Sequence, residues 1–261
     1  MKLSDFTPNE LLKNHTTFQI GGSAEYFFEA KTTAQLLQAV KLAEKLEIPF
    51  IILGSGSNVL ISDNGIKGLV IKNSTSKIRP LANHQVELDS GVFLPKAIFS
   101  LINQGLTGLE VFSGIPATVG GATAVKMHGV GKNWQDFIVK VRKYHQVILS
   151  VTLQLQAGDP VAALALAKKI QASKSHQPQR SSGCIFRNPP GQSAGKIIDQ
   201  QLKLKNTRIG QARISPAHAN FIENLNGATA SEVLQLIRLI QQQAKNKLNL
   251  KLDLEIILLG F

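Results

Sequence analysis

The 261-residue sequence predicts an α+β protein on three observations. The first third has a βαβ-like pattern, the middle is dominated by alternating strand patterns, and the last third interleaves short strands with helices. The expected division is 1–73, 74–172 and 173–261. The boundary before 173 rests on a polar linker, Ser173 to Ser182, that contains Pro178.

In the first segment, aromatic-rich Glu25 to Ala30 reads as a strand. Thr32 to Leu46 places Leu36, Leu37, Val40, Ala43 and Leu46 at helical spacing. The apolar run Phe50-Ile51-Ile52-Leu53 suits a buried strand, and a further strand is expected at Leu69 to Lys72. In the middle, Val86 and Leu88 alternate, Leu94 to Gln104 reads as a helix, and Gly105 to Gly131 is glycine-rich. Val147 to Leu155 alternates cleanly as a strand, and Ala162 to Ala172 is helical. The last segment predicts a strand at Cys184 to Phe186, a helix at Ser193 to Gln201 and a strand at Phe221 to Glu223. A helix then opens at Thr229 with Glu232 three residues on, a capping box. The chain ends in a strand over Leu250 to Leu259.

Composition narrows the function classes. Twenty-nine Lys and Arg against 17 Asp and Glu give a net charge of +12. The basic residues are scattered rather than gathered in a stripe with interleaved aromatics, which favours a solvated surface over a nucleic-acid interface. A positive field also raises encounter rates with anionic nucleotides. No secretory leader is expected from the polar start, and no apolar run approaches the roughly 20 residues of a membrane helix. The single cysteine, Cys184, excludes an internal disulfide and a cysteine metal cluster, and no metal is expected. A reducing cytoplasm is the expected location.

Two glycine-rich loops carry the chemistry. Gly54-Ser55-Gly56-Ser57-Asn58-Val59-Leu60 follows a strand and can turn several backbone N–H groups toward one point, a nest suited to pyrophosphate. It lacks the third glycine and following helix of the dinucleotide fingerprint, and a plain tight turn explains it equally well alone. Ser113-Gly114-Ile115-Pro116-Ala117-Thr118-Val119-Gly120-Gly121-Ala122 has the same character. Two such loops suggest one extended ligand with a phosphate bridge, such as a dinucleotide cofactor.

These loops, with Asn14 to Gly22, Gly108 to Pro116, Ser182 to Pro190, Ser193 to Lys196 and His218 to Ile222, occur in an order that resembles the UDP-N-acetylenolpyruvoylglucosamine reductase (MurB) family over nearly the whole chain. The resemblance implies a two-lobed FAD-binding fold with a C-terminal α/β substrate-binding domain. It implies reduction of an enolpyruvyl nucleotide sugar to a lactyl ether, with NADPH as electron donor and FAD as carrier in ping-pong kinetics, by a monomer that binds neither nucleic acid nor membrane. The cofactor contacts carried over are Gly54, Ser55, Gly56, Ser57, Asn58, Val59 and Leu60, with Ser113, Gly114, Ile115, Pro116, Thr118, Val119, Gly121 and Ala122.

Hydride goes to the terminal vinyl carbon, so the site must stabilise enolate-like charge and protonate the neighbouring carbon. The family's proton donor is usually a serine; Cys184 stands there, and a thiol of reference pKa ~8.5 is a stronger acid than an alcohol. A small buried hydrophobe is the alternative reading of that cysteine. Glu255, in Leu252-Asp253-Leu254-Glu255-Ile256, matches the family's C-terminal acid, with a solvated strand face as its alternative. Asn188, Lys196, His218 and Asn220 are the expected substrate contacts, with Lys196 at a helix start where a diphosphate would sit. His176 stands where the family keeps a lysine. The family's Tyr-Arg-x-Ser segment is missing: Arg142 passes through Lys143 and Tyr144 straight into His145 to Leu149. The chain is therefore expected to be shortened near 142–147. Arg142 is the nearest arginine, read either as the catalytic replacement or as a surface strand residue. A flavin-binding relative with altered activity, and more distantly a basic nucleic-acid module, remain as alternatives.

Overall fold

Capping boxes open both the first long helix and the longest one; the box at Thr229 is the one expected from the sequence. In the computed structural model, which describes residues 1–261, a helix spans Thr33–Lys45. Thr32 accepts from the Gln35 N–H, and the Gln35 side chain accepts from the Thr32 N–H in return. Leu36, Ala39, Val40 and Ala43 form its buried stripe. The Thr229–Glu232 box opens the helix Ala230–Leu248. Asp63 reinforces that end: its carboxylate accepts from the Ala230 N–H at 2.7 Å and the Ser231 N–H at 2.9 Å. A negative charge on the positive end of a long helix is favourable. Left-handed Asn249 closes the other end.

The chain forms two compact units. The first comprises residues Met1–Phe6, Phe28–Ser55 and Val70–Ser175; the second comprises Thr7–Phe27, Gly56–Leu69 and His176–Phe261. The strands Ser23–Ala30 and Ile66–Asn73 give residues to both, and the first glycine-rich loop divides after Ser55.

The first unit is organised by an antiparallel sheet in the order Ile78–Pro80, Gln85–Asp89, Val147–Gln154, Ile138–Tyr144. Alternation divides its faces. Val86, Leu88, Val151 and Leu153 are fully buried, in a core shared with Trp134, Phe112 and the helices Leu94–Ile102 and Pro160–Ser173. Phe112 meets Trp134 and Phe137 edge-on, and the Trp134 indole N–H donates to Thr123. The other face carries Glu87, Asp89, Arg142 and Ser150. Tyr144 pairs with Val147, so only His145 and Gln146 join the last two strands.

The second unit packs the helix Ala230–Leu248 with a three-stranded antiparallel meander, Arg208–Ile209, Ala212–Ile214 and Ile222–Asn224. Ile257–Leu259 pairs parallel with Val59–Ile61. Phe18, Leu60, Ile185, Phe186, Leu236 and Ile240 lie in its core.

Most expected elements form, but two strands are corrected. Cys184 to Phe186 makes single bridges, Cys184 to Phe221 and Phe186 to Leu254, rather than a ladder. The C-terminal strand is confined to Ile257–Leu259. Upstream of it, Leu252 and Ile256 are buried while Asp253 and Glu255 are exposed. The alternation in 250–256 thus reports burial of an extended segment, not ladder pairing. The helix expected at 193–201 is a single turn, Ala194–Lys196, running into a wider π-turn over Ile197–Gln201. No helix is long and apolar enough to cross a membrane.

Replacing Asp63 by Ala removes the acceptor for two helix-end N–H groups and should cost about 1–2 kcal/mol. Urea denaturation of wild type and D63A measures it, and equal midpoints would show that the cap adds nothing to Thr229.

Candidate active site

Within the first unit the two glycine-rich loops meet. A Cβ on Gly54 would lie 2.5 Å from Thr118 Oγ1, and Ser55 Oγ donates to the Pro116 carbonyl at 2.6 Å. Gly120 is held as closely: its N–H donates to the Ser90 carbonyl at 2.7 Å, and a Cβ there would lie 2.9 Å from Ser90 Cβ. Thr118 Oγ1 accepts from the Gly121 N–H. Beside this contact lies a cavity of about 430 Å³, with Gly54, Thr118, Gly120 and Gly121 on one wall and Phe50 and Ile52 among its apolar lining. Volume and lining suit part of a small-molecule cofactor, and the missing Cβ atoms of Gly54 and Gly120 let these loops approach Thr118 and Ser90 closely. The lining is compatible with part of FAD.

The remaining loop residues divide by burial. Ser113 is fully buried and donates to the Ala167 carbonyl, and Val119 and Ala122 are core residues, so these three anchor the loop from beneath. Gly114 lies against the Lys174 side chain. Ile115 packs on the core and Pro116 is exposed. In the second unit, left-handed Gly56 is pressed against the His15 carbonyl, which leaves no room for a Cβ. Leu60 is fully buried, while Ser57 and Val59 are half-buried.

The second unit brings the C-terminal acid next to the cysteine segment. The Glu255 N–H donates to the Ile185 carbonyl at 2.8 Å, and the Arg187 N–H donates to the Asp253 carbonyl at 2.9 Å. Asn58 holds the same stretch from the other direction: its side-chain amide donates to the Glu255 carbonyl at 3.2 Å, and its own carbonyl accepts from the Ile257 N–H. Asn58, Glu255 and the Ile185–Phe186 peptide therefore sit on consecutive hydrogen-bonded segments. Cys184 is half-buried and Glu255 exposed.

The four expected substrate contacts separate. Asn188 and Lys196 line one cavity of about 580 Å³ together with Ser193 and Gln200. Asn188 Oδ1 accepts from the Ala194 N–H at 3.0 Å, which leaves its amide N–H groups for a ligand. His218 lies beside Gly195, and its Nδ1 accepts from the Asn220 N–H. That bond puts the neutral ring's proton on Nε2. Burial, then the nearby charges of His176 and Lys205, lower its pKa; its backbone hydrogen bond opposes them. Asn220 is 2% exposed, and its amide spans the Phe186 backbone, accepting from the N–H at 3.0 Å and donating to the carbonyl at 2.8 Å. It fixes the segment that carries Cys184.

Arg142 lies on the polar face of the first unit's sheet. Its Nε donates to Ser150 Oγ at 3.1 Å and lies 3.8 Å from Glu87 Oε1, while Ser150 Oγ donates to the same carboxylate. The side chain is 50% exposed and lines neither cavity. This geometry favours the surface-strand reading. Sequence reasoning missed Gly120, Phe50, Ile52 and the His145–Ile148 stretch as cavity lining. Only Gly120 carried a local signal, as part of the second loop.

Comparison with known proteins matches the chain in two consecutive segments. A profile of the FAD binding domain matches residues 24–158, and one of the UDP-N-acetylenolpyruvoylglucosamine reductase C-terminal domain matches 175–259. The UDP-N-acetylenolpyruvoylglucosamine reductase of Protochlamydia amoebophila is 35% identical, over 97% of this chain and 93% of its own length. That of Alkaliphilus oremlandii is 32% identical over 286 aligned positions. The latter covers 97% of this chain, about 253 of its 261 residues, so about 33 aligned positions have no counterpart here. The crystal structure of UDP-N-acetylenolpyruvylglucosamine reductase from Thermus caldophilus superposes with a TM-score of 0.83 at 31% identity, covering 96% of this chain and 97% of that one. With both halves matched in order and relatives above 30% identity along nearly its full length, the chain belongs to the UDP-N-acetylenolpyruvoylglucosamine reductase family.

Proposed function

We propose that the chain reduces UDP-N-acetylglucosamine enolpyruvate to UDP-N-acetylmuramate with NADPH and FAD, a step of peptidoglycan precursor synthesis. The observation that carries the reading is the pair of glycine-rich loops pressed together at Gly54 and Thr118 beside an apolar cavity. Bound FAD would supply the hydride-carrying chemistry between NADPH and the vinyl group of the substrate.

The chain's own residues do the rest. Gly54, Ser55 and Thr118 to Gly121 hold the cofactor's phosphate end, with Ser113, Val119 and Ala122 supporting them from the core. Gly56 to Leu60 are further cofactor contacts carried over from the family, and Asn58 also fixes the backbone of Glu255. The Cys184 thiol gives its proton to the carbon next to the substrate carboxylate as negative charge builds there. Glu255, protonated or through a bridging water, hydrogen-bonds the substrate carboxylate or enol oxygen. Lys196 and Asn188 take the diphosphate and sugar, His218 donates through Nε2, and Asn220 positions the cysteine segment. The lobes in this reading are 1–73 and 74–172 for the cofactor and 173–261 for the substrate. It implies a cytoplasmic monomer whose basic surface attracts nucleotide sugars rather than nucleic acid or membrane.

A second reading, a flavin-binding relative with altered activity, is favoured by the engagement of Arg142 with Ser150 and Glu87. Anaerobic spectroscopy separates the two. NADPH should bleach the flavin band, and the enolpyruvyl sugar should restore it. Bleaching without recovery supports the second reading, and failure to bind FAD removes both.

Cys184→Ala should leave the NADPH step unchanged and slow the sugar step about 10²–10⁴-fold, the usual worth of a positioned proton donor. A sugar step at the wild-type rate in stopped flow would remove the thiol from the mechanism. Arg142→Ala should keep kcat within about twofold, as a surface substitution worth under about 0.5 kcal/mol does. A hundredfold fall would return that arginine to the site.

His218 has a lowered folded pKa, so acid protonates the unfolded chain first. Its stabilising contribution is complete above about pH 6.5 and is lost as pH falls from there through the folded value. His218→Gln should flatten the decline in Tm as pH falls below about 6.5. A decline as steep as in wild type would assign the pH dependence to other groups.

A further inference from the structure

The wall of the first unit's cavity that includes His145, Gln146, Val147 and Ile148 is formed by the two-residue turn between Ile138–Tyr144 and Val147–Gln154, with the first residues of the second strand. Three features distinguish this turn from a plain connection.

The first is conformational. His145 has a φ of 49°, in the left-handed region where two-residue hairpin turns select Gly, Asn or Asp. Ten other non-glycine residues, His84 among them, share that region, so the value describes the turn's geometry and sets the choice of substitution below.

The second is anchoring. The Tyr144 hydroxyl donates to Glu44 Oε2 at 3.1 Å, and the Lys41 ammonium lies 5.4 Å from the Tyr144 ring centre. The Tyr144 ring also packs edge-on against the His145 imidazole with centres 4.4 Å apart. Glu44 lines the same cavity. A turn at the tip of a hairpin is thus tied to the helix Thr33–Lys45, and the imidazole is supported on one side while remaining exposed.

The third is what the turn borders. Gly54, Thr118 and Gly120, the proposed cradle of the cofactor's phosphate end, line the same cavity. A planar purine attached to that phosphate has apolar surface available at Phe50 and Ile52. An exposed ring and a carboxamide at the rim suit its remaining needs. Imidazole packs on or against an aromatic ring, and a glutamine amide matches the paired donor and acceptor on an adenine edge.

The geometry points to the His145–Gln146 turn as the adenine-recognising rim of the cofactor site, which makes this short hairpin the element that selects FAD over a flavin lacking the adenylate. The inference rests on the flavin reading above and adds to it a residue-level source of cofactor selectivity.

The test is binding of FAD and of FMN to the apoprotein by quenching of flavin fluorescence, for wild type, His145→Gly and Gln146→Ala. Glycine is the substitution of choice because it accepts the left-handed backbone without strain, so the fold is kept while the imidazole is lost. Thermal unfolding of the apoprotein checks this. FAD affinity of H145G should fall about three- to tenfold, the scale of one aromatic contact. FMN affinity should not change. Q146A should shift the FAD:FMN ratio in the same direction. A ratio equal to wild type in both variants, or a parallel loss of FAD and FMN, overturns the inference while leaving the flavin reading intact. A wild-type protein that binds neither flavin overturns both.

Discussion

The contact on which the cofactor cavity depends is the approach of Gly54 to Thr118, closer than any side chain permits. One loop ends the strand Phe50–Leu53 and the other opens the helix Val119–Ala124, so their separation sets the width of the cavity beside them. Ser55 and Gly120 secure the arrangement from each loop, through the Pro116 and Ser90 carbonyls. An alanine at position 54 would have to push the Thr118 hydroxyl away. That hydroxyl also accepts from the Gly121 N–H, so the disturbance would pass into the second loop. Glycine here supplies proximity rather than flexibility.

The second unit solves a different problem, holding an extended segment that has almost no ladder. Cys184 to Arg187 is located by two single bridges, by backbone bonds to Asp253 and Glu255, and by the Asn220 amide across Phe186. A buried amide with both ends satisfied is worth keeping, because losing one partner exposes the full desolvation cost of the other. A half-buried thiol on a segment fixed in this way can stay accessible without the segment being loose.

What was legible in the sequence was whatever is decided locally. The capping box at Thr229 acts within one turn and does what its pattern predicts, whereas the crowding at Gly54 and Gly56 comes from Thr118 and His15, far along the chain. The expected strand over 250–259 failed because alternation records which side chains are buried and not whether the backbone is paired. Leu252 and Ile256 are buried without a strand around them. Asn220 read as a ligand contact because polar residues in loops are ordinarily available, and only its burial reveals that the amide is used internally. The cavity role of His145 was invisible for another reason. Tyr144 and Glu44, which tie the turn down, lie 100 residues apart and pair only after the hairpin and the first helix have come together.

Arg142 shows how strand parity limits a simple repair of the shortened middle. Arg142 pairs with Ser150, and Ser150 with Asp89, on the polar face; Val141, Val151 and Leu88 follow on the opposite, core-facing side. Moving the guanidinium to the other face would need a one-residue slip, which would turn Val141 outward and place the Arg142 charge in the core. It would also strip the Arg142 partner from Glu87 and Ser150. The pairing already carries one irregularity between the turn and this point, between Ile148 and Ser150, and it is in that register that Arg142 meets Ser150. In the observed register the guanidinium stays on the polar face with Ser150 and Glu87.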